Sequence, residues 1–545
     1  MSTDPAAVRA DSAAGRADSA AGRADPAGGR AASASERVET PATLALRVLL
    51  ASFAGPVLPD DWAQLLAEGL GGICLFGSNI GDGSGVPALN EAIHAANPAC
   101  VIATDEEGGD VTRLHALTGS PVLGAAALGA AHDVALTRAV GGLVGADLRA
   151  AGVDLDLAPV ADVNSNPDNP VIGTRSFGSD PGVAATHVAA WVHGLQDTGV
   201  AACVKHFPGH GDTGEDSHLA LPVLDVPLET LHRRELLPFA AAVAAGTRTV
   251  MTSHIVVPAV DPELPATLSA KVLGLLRDGL GFEGVIVSDA LDMAGASAGR
   301  GIPEAAVLSL AAGADLLCIG PDKPAALVRD IQAAIDAAVT AGRLPRARLE
   351  EAAARVAHLA ASTGRAATPS AGAAATPSAG AAATPSAGRA ATPSAGRAPR
   401  PPAAEGVETP QPSRSLVDAA AAALIVEGEL PDLTHAMVVS IDTRANIAVG
   451  DVPWGLVPDL TIEPAGSWGT LGSGPVIVQV RDAHRRPEVL ATLDLLADAG
   501  LTPVVVEWGW PGPRHGTFAR ICTRGYSRPG SEAVMRLLRE AGWSR

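Results

Sequence analysis

Val200-Ala201-Ala202-Cys203-Val204-Lys205-His206-Phe207-Pro208-Gly209-His210-Gly211-Asp212-Thr213-Gly214-Glu215-Asp216-Ser217-His218 passes without a spacer from an apolar run into a loop dense in ionisable groups. The apolar half reads as a buried strand. The polar half carries a lysine, histidines and carboxylates, with glycines for tight turning. A loop does not collect so many costly polar groups merely to join two elements. The same layout, an apolar run ending on polar residues, recurs along the chain, and that recurrence decides the fold.

Working outward, the runs that read as strands are Leu46–Phe53, Gly72–Phe76, Cys100–Asp105, Leu155–Val160, Ala201–His206, Thr249–Ile255, Gly284–Asp289 and Ala314–Ile319. Amphipathic stretches such as Glu235–Ala245 and Ala325–Ala341 lie between or after them. Strands alternating with helices over roughly 320 residues predict a (β/α)8 TIM-like barrel. Polar residues sit at the C-terminal ends of these runs: Asp105, Lys205, His206, His254 and Asp289. In such barrels that end carries the active site.

Two repeats frame the barrel. Residues 9–25 repeat Arg-Ala-Asp-Ser-Ala-Ala-Gly and hold no large apolar side chain, so 1–40 is expected to be a disordered tail. From Ala366 to Gly396 the chain repeats Ala-Ala-Thr-Pro-Ser-Ala-Gly, which cannot build a core. The stretch 362–408 therefore reads as a linker, spanning on the order of 35 Å as a flexible coil. It separates a catalytic barrel, 41–361, from a smaller α/β sandwich domain, 409–545. In the latter, Ala436–Ile441, Pro475–Val480 and Thr502–Val506 read as strands, and Pro487–Ala499 and Glu532–Ala541 as helices. No glycine-rich phosphate loop is present there.

The chain has 545 residues, 47% of them hydrophobic but only 3% aromatic, so its cores are built from Ala, Val, Leu and Ile. A net charge of −20 argues against nucleic acid and against anionic membrane surfaces. The scattered cysteines Cys74, Cys100, Cys203, Cys318 and Cys522 read as buried free thiols, which fits a reducing compartment. No apolar run reaches the ~20 residues of a membrane-spanning helix. A cytoplasmic location is the expectation.

The chemistry-bearing residues follow. Asp289 ends an apolar strand, and a carboxylate at a barrel mouth can attack an anomeric carbon. By position alone it reads equally well as the N-cap of the next helix. Asp292 is a second carboxylate deeper in that loop. A histidine can serve as general acid and base near neutrality when a carboxylate fixes its tautomer, and Asp216 and His218 stand two residues apart. The rival reading of this loop is a metal site on His206, His210, Asp212, Asp216 and His218. Its intervals match no zinc pattern, and Lys205 beside it repels a cation. Trp508 and Trp510 read as packing residues, with stacking on a distant sugar as the alternative.

Several of these segments resemble the β-N-acetylglucosaminidases of glycoside hydrolase family 3. The Lys205–His218 loop is similar to that family's signature, in which the Asp-x-His pair is the general acid/base. Ser288-Asp289-Ala290-Leu291-Asp292-Met293 resembles its nucleophile segment. Asp105-Glu106-Glu107-Gly108-Gly109-Asp110-Val111-Thr112-Arg113-Leu114 and Asn169-Pro170-Val171-Ile172-Gly173-Thr174-Arg175 resemble its sugar-binding pieces, with Asp110 standing where many members carry arginine. The resemblance implies catalysis by Asp289, His218 and Asp216. It implies sugar binding by Asp105, Arg175, Lys205 and His206, and neither metal nor cofactor; His254 reads as lining the site or, almost as well, as a buried, satisfied histidine. The expected activity is a retaining exo-β-N-acetylglucosaminidase acting on a small carbohydrate such as a cell-wall muropeptide. A phosphorylase that uses phosphate in place of water is the alternative. A metal-dependent hydrolase ranks below it. Oligomeric state is not legible.

Overall fold

The structure is a computed structural model that describes residues 39–215, 221–363, 415–443, 448–450, 452–464, 466 and 474–545. Both repeat segments, and the pair Asp216 and His218, lie outside the described residues.

Eight strands form the barrel: β1 (Leu49–Ala51), β2 (Gly72–Leu75), β3 (Val101–Thr104), β4 (Leu155–Asp156), β5 (Ala201–Phe207), β6 (Thr249–Thr252), β7 (Val285–Ser288) and β8 (Leu316–Cys318). Each pairs in parallel with its successor, and β1 pairs with β8, so the sheet closes. All eight expected runs contribute a strand. Seven of the eight are shorter than the expected run, and in two the cause is plain. Leu46 and Arg47 belong to a helix, Pro41–Arg47, which Thr40 caps by accepting from the Thr43 N–H and which starts on a proline. In β4 the regular ladder stops at Asp156. Three residues on, Pro159 has no N–H to donate.

The two-residue period of a strand then places the site. Val101 and Ala103 of β3, Ala201 and Cys203 of β5, and Val285 and Val287 of β7 belong to the buried cluster inside the barrel. Continuing each alternation by one step reaches Asp105, Lys205 and Asp289. Three charged groups from three strands thus face the barrel mouth. The opposite parity, Ile102, Ala202, Val204 and Ile286, packs outward against the helices.

The second domain is a six-stranded sheet: β9 (Ile425–Glu427), β10 (Met437–Ile441), β11 (Leu460–Ile462), β12 (Gly474–Val480), β13 (Leu501–Glu507) and β14 (Ala519–Cys522), in spatial order 9-14-13-12-10-11. Only β9 is antiparallel to its neighbour. Helix Pro487–Asp498 packs on one face through Val489, Leu493 and Leu496, and helix Arg528–Glu540 on the other through Val534 and Leu538. From β10 the chain first adds β11 on one side and then β12 on the other. The crevice beyond the C-terminal ends of β10 and β12 is therefore a topological switch point, where doubly wound sheets usually take their ligands.

Residues Thr40–Arg545 pack as one unit. Ala419, Ala420 and Ala423 of helix Leu416–Ala423 join the same buried cluster as Ala125, Ala127 and Leu128 of a barrel helix. All five cysteines are free and buried. Among the described residues no helix is long and apolar enough to cross a membrane.

Candidate active site

A cavity of about 380 Å³ opens at the barrel mouth, lined among others by Asp105, Glu107, Arg113, Arg175, Lys205, His206, Asp289, Asp292 and Met251. That volume lies in the range of small-molecule sites. Its charged wall is one connected network. The Lys205 ammonium donates to Asp105 at 2.6 Å and contacts Glu107 at 2.7 Å. Arg175 grips Glu107 with two N–H groups, at 2.9 and 2.7 Å. Its Nη1 donates to the Val171 carbonyl, while Nη2, one of the two groups on Glu107, also reaches His206 Nε2. Lys205 keeps one ammonium proton and Arg175 one N–H for a ligand.

Burial alone drives the Glu107 carboxyl up, but the charges of Arg175 and Lys205 outweigh it and hold it far below its ordinary range. Asp105 is likewise held below its ordinary range, against burial, by Lys205 and Arg113. Burial disfavours the charged forms of Lys205 and Arg175, yet the carboxylates prevail and raise both. All four are charged at neutral pH.

The hairpin that carries Glu107, Glu106–Gly108 with Val111–Thr112, closes through Gly109. A Cβ there would stand 2.5 Å from Gly124 Cα, and φ is +59°, so glycine is required. Glu106 braces the same hairpin by accepting from the Arg113 and Leu114 N–H groups.

The loop after β5 is held from below. Asp162, fully buried, accepts from His206 Nδ1 at 2.7 Å and from the backbone N–H groups of His206 and His210. With Nδ1–H given to Asp162, His206 turns Nε2 to Arg175 and the cavity. His210 contacts Thr213 Oγ1 through Nδ1, and burial pushes its pKa down to about 4, so it stays neutral. Held this way, His210 props the loop, and it also lines the cavity. Gly211 sits where a Cβ would meet the Val163 carbonyl oxygen at 1.8 Å. Asp212 takes Ser165 Oγ and Arg234.

Arg234 also pairs with the fully buried Glu235. Burial, opposed by Arg234 and reinforced by Asp162 and Asp212, pushes Glu235 up to about 7 from an ordinary 4.5. A carboxyl whose folded pKa is raised contributes most below its unfolded pKa and loses that contribution as pH rises through the folded one. Glu235→Gln is therefore expected to gain roughly 2–3 kcal/mol relative to wild type between pH 5 and pH 8. Urea denaturation at both pH values checks this, and a pH-independent difference would contradict it.

Asp289 stands on the cavity, with Oδ1 accepting from the Ala290 N–H. Asp292 lines it as well but is paired with Lys323 at 2.7 Å. His254 takes the buried one of its two readings. It is fully buried, Nδ1 meeting Thr267 Oγ1 and Nε2 donating to the Ala290 carbonyl at 2.9 Å, and it does not line the cavity. Its position supports the segment that carries Asp289. Trp508 is fully buried, edge-on to Tyr526, as expected of a packing residue. Among the described residues no group of three or more His, Cys, Asp or Glu side chains offers a metal a coordination set.

The second domain reaches this site. Asp110, at the tip of the hairpin, accepts from Arg481 at 3.0 Å, the Tyr526 N–H at 3.0 Å and Thr174 Oγ1 at 2.7 Å. Arg481 follows β12 at the switch point, stacked over Trp454. The crevice thus holds a carboxylate of the barrel itself. Here the carboxylate of residue 110 meets a cation from the other domain. Ala448, also of the second domain, lines the cavity and accepts from Arg113 at 2.8 Å.

Sequence reasoning passed over Glu107, Asp162, Arg113 and Asn169. Asp162 was findable, because it follows a strand-like run just as Asp105 and Asp289 do.

A barrel whose C-terminal mouth holds a sugar-sized cavity walled by carboxylates and cations is the arrangement of a glycoside hydrolase. The model of the glycosyl hydrolase family 3 N-terminal domain matches residues 59–359. The β-hexosaminidase of Xanthomonas oryzae pv. oryzae (strain KACC10331 / KXO85) is 39% identical over 282 residues, 50% of this chain and 83% of that protein. Beta-hexosaminidase A of Pseudoalteromonas piscicida is 36% identical over 283 residues, 48% of this chain and 47% of that protein, so the chain spans about half of that relative. A solved family 3 β-N-acetylglucosaminidase from Paenibacillus sp. str. FPU-7 superposes with a TM-score of 0.75 at 30% identity, covering 93% of this chain and 97% of that one. The chain belongs to glycosyl hydrolase family 3.

Proposed function

We propose that the chain is a retaining exo-β-N-acetylglucosaminidase. The observation that carries this reading is the Asp289 carboxylate on the same cavity as the Asp105–Lys205–Glu107–Arg175 network. Relatives named β-hexosaminidase and β-N-acetylglucosaminidase support the sugar. Asp105, Lys205, Arg175 and His206 bind hydroxyls of the terminal residue. Asp289 attacks the anomeric carbon to give a glycosyl-enzyme. His218, oriented by Asp216, protonates the departing oxygen and then takes a proton from the incoming water. The His210–Thr213 segment, pinned by Asp162, Ser165 and Arg234, leads directly to that pair. The reaction takes place in the cytoplasm, and a muropeptide or similar cell-wall fragment is the substrate. The barrel 41–361 supplies the chemistry, 409–545 the second domain, and 362–408 joins them.

A chromogenic β-N-acetylglucosaminide, supplied with and without phosphate, tests the reading. Free N-acetylglucosamine at an unchanged rate is expected, before and after exhaustive EDTA treatment. Sugar 1-phosphate as the product would assign a phosphorylase instead, and loss with EDTA reversed by zinc would assign a metal hydrolase.

A further inference from the structure

The paired side chains Glu107 and Arg175 stand on two separate segments, the Glu106–Thr112 hairpin and the turn Gly173–Arg175. Within the barrel that turn is fixed by two asparagines. Asn169 Oδ1 accepts from the Val171 and Ile172 N–H groups at 3.0 and 2.8 Å, and Asn164 Oδ1 accepts from the Gly173 N–H at 3.1 Å. Hairpin and turn meet twice. Arg175 grips Glu107 in the cavity wall, and outside that wall Asp110 Oδ2 accepts from Thr174 Oγ1 at 2.7 Å. The other oxygen of Asp110 belongs to the second domain, taking Arg481 and the Tyr526 N–H, each at 3.0 Å. Gly525 of the same domain packs directly on the Asp110–Thr174 contact. A Cβ there would stand 2.7 Å from Asp110 Oδ2 and 3.3 Å from Thr174 Cβ, and φ is +103°, so glycine is required. Asp110, Thr174 and Arg481 do not line the cavity.

We propose that Asp110, Thr174 and Arg481 are positioning residues that set the grip of Arg175 on the sugar, so that the second domain takes part in substrate recognition through the barrel's own side chains. The inference rests on the activity proposed above. Arg175 has one N–H left for a ligand, and a hydrogen bond weakens steeply with misalignment. That N–H serves only while the guanidinium keeps its angle. Glu107 and the Val171 carbonyl hold the head of the side chain. Thr174, its neighbour in the chain, holds the backbone from which it springs, and Asp110 passes that hold to Arg481. Burial pushes the Asp110 carboxyl up, and the charge of Arg481 opposes it, which keeps a strong acceptor in front of Thr174. A hydroxyl gripped by Arg175 takes no part in bond breaking. Its loss weakens ground state and transition state alike, and so raises KM at constant kcat.

Thr174→Val keeps the shape of the half-buried side chain and leaves Arg481 and Tyr526 on Asp110, so it cuts the tie without unseating the second domain. Thr174→Ser keeps the hydroxyl. Arg481→Met removes the outer charge, and Arg481→Lys keeps a donor. The full-length variants are assayed on a chromogenic β-N-acetylglucosaminide, and N-acetylglucosamine is titrated into each by calorimetry. For Thr174→Val, KM is expected to rise about 5- to 10-fold with kcat within about twofold of wild type. The dissociation constant of N-acetylglucosamine should rise by about the same factor. Thr174→Ser should stay near wild type. Arg481→Met should shift KM in the same sense, and Arg481→Lys should recover most of it. If both residues act through one tie, the double variant Thr174→Val with Arg481→Met should lie within about twofold of the worse single one.

An unchanged KM in Thr174→Val, a fall in kcat at constant KM, or a serine variant as impaired as the valine one would overturn the inference while leaving the activity standing. Losses that multiply in the double variant would do the same, since they would place the two residues on separate paths. If Arg481→Met does not fold, Thr174→Val and Thr174→Ser decide between them. A wild-type enzyme that neither cleaves the glycoside nor binds N-acetylglucosamine would remove the proposed activity and this inference with it.

Discussion

Replacing Asp289 by Asn or Ala is expected to lower turnover by roughly 10⁴–10⁶-fold, as loss of a covalent nucleophile does. The fold should survive. Asp289 is only part-buried and sits at the cavity, where it accepts from the Ala290 N–H. Asp292 is the control. It lies on the same cavity, but Lys323 already occupies one of its oxygens, which weakens it as a nucleophile. A 2-deoxy-2-fluoro glycosyl donor should therefore label Asp289, read out by peptide mass spectrometry. Label on Asp292, or a fully active Asp289→Ala enzyme, would return the mechanism to one in which the substrate's own acetamide attacks.

That prediction leans on a position visible in the sequence, and the reason is geometric. Val285, Val287 and Asp289 keep a strict two-residue period, so a run of apolar residues ending on a carboxylate already aims that carboxylate into the barrel. Asp105 and Lys205 are legible by the same rule. What was not legible depends on folding at a distance. The value of Glu107 lies in Arg175, 68 residues away, and that of Asp110 in Arg481, 371 residues away. A single sequence carries no period linking such pairs.

His254 has two readings in the sequence because a polar residue just past a strand usually faces the mouth. Here the chain turns after Thr252, and the ring is folded under Ala290. In the second domain the longer strands stand out, but β9, β11 and β14, of three or four residues, are too short to show alternation. Helix Leu416–Ala423 is built mostly of alanine, next to a linker also rich in alanine, so composition alone cannot separate them.

The contact between the domains carries the second large effect. Asp110 and Arg481 are both buried, and Asp110 serves three donors at once. Removing one partner of a buried pair leaves the other charge without compensation, which costs about 3–5 kcal/mol. Asp110→Ala is expected at the upper end of that range, because the Tyr526 N–H and Thr174 hydroxyl lose their acceptor as well. Arg481→Met should cost less. The methionine keeps apolar contact with Trp454, Asp110 keeps its two neutral donors, and burial already raises the Asp110 carboxyl toward protonation. The double variant Asp110→Leu with Arg481→Met should recover part of the loss, since a matched apolar pair leaves no buried charge. Urea denaturation of the single and double variants measures the coupling. Single variants within about 0.5 kcal/mol of wild type would mean that the second domain is held by the other contacts, the alanine helix and the Arg113–Ala448 hydrogen bond among them. If the pair is a clamp, deleting everything after Gly364 should destabilise the barrel more than Arg481→Met does. The deletion also uncovers Ala125, Ala127 and Leu128, apolar surface that the Leu416–Ala423 helix now shields from water.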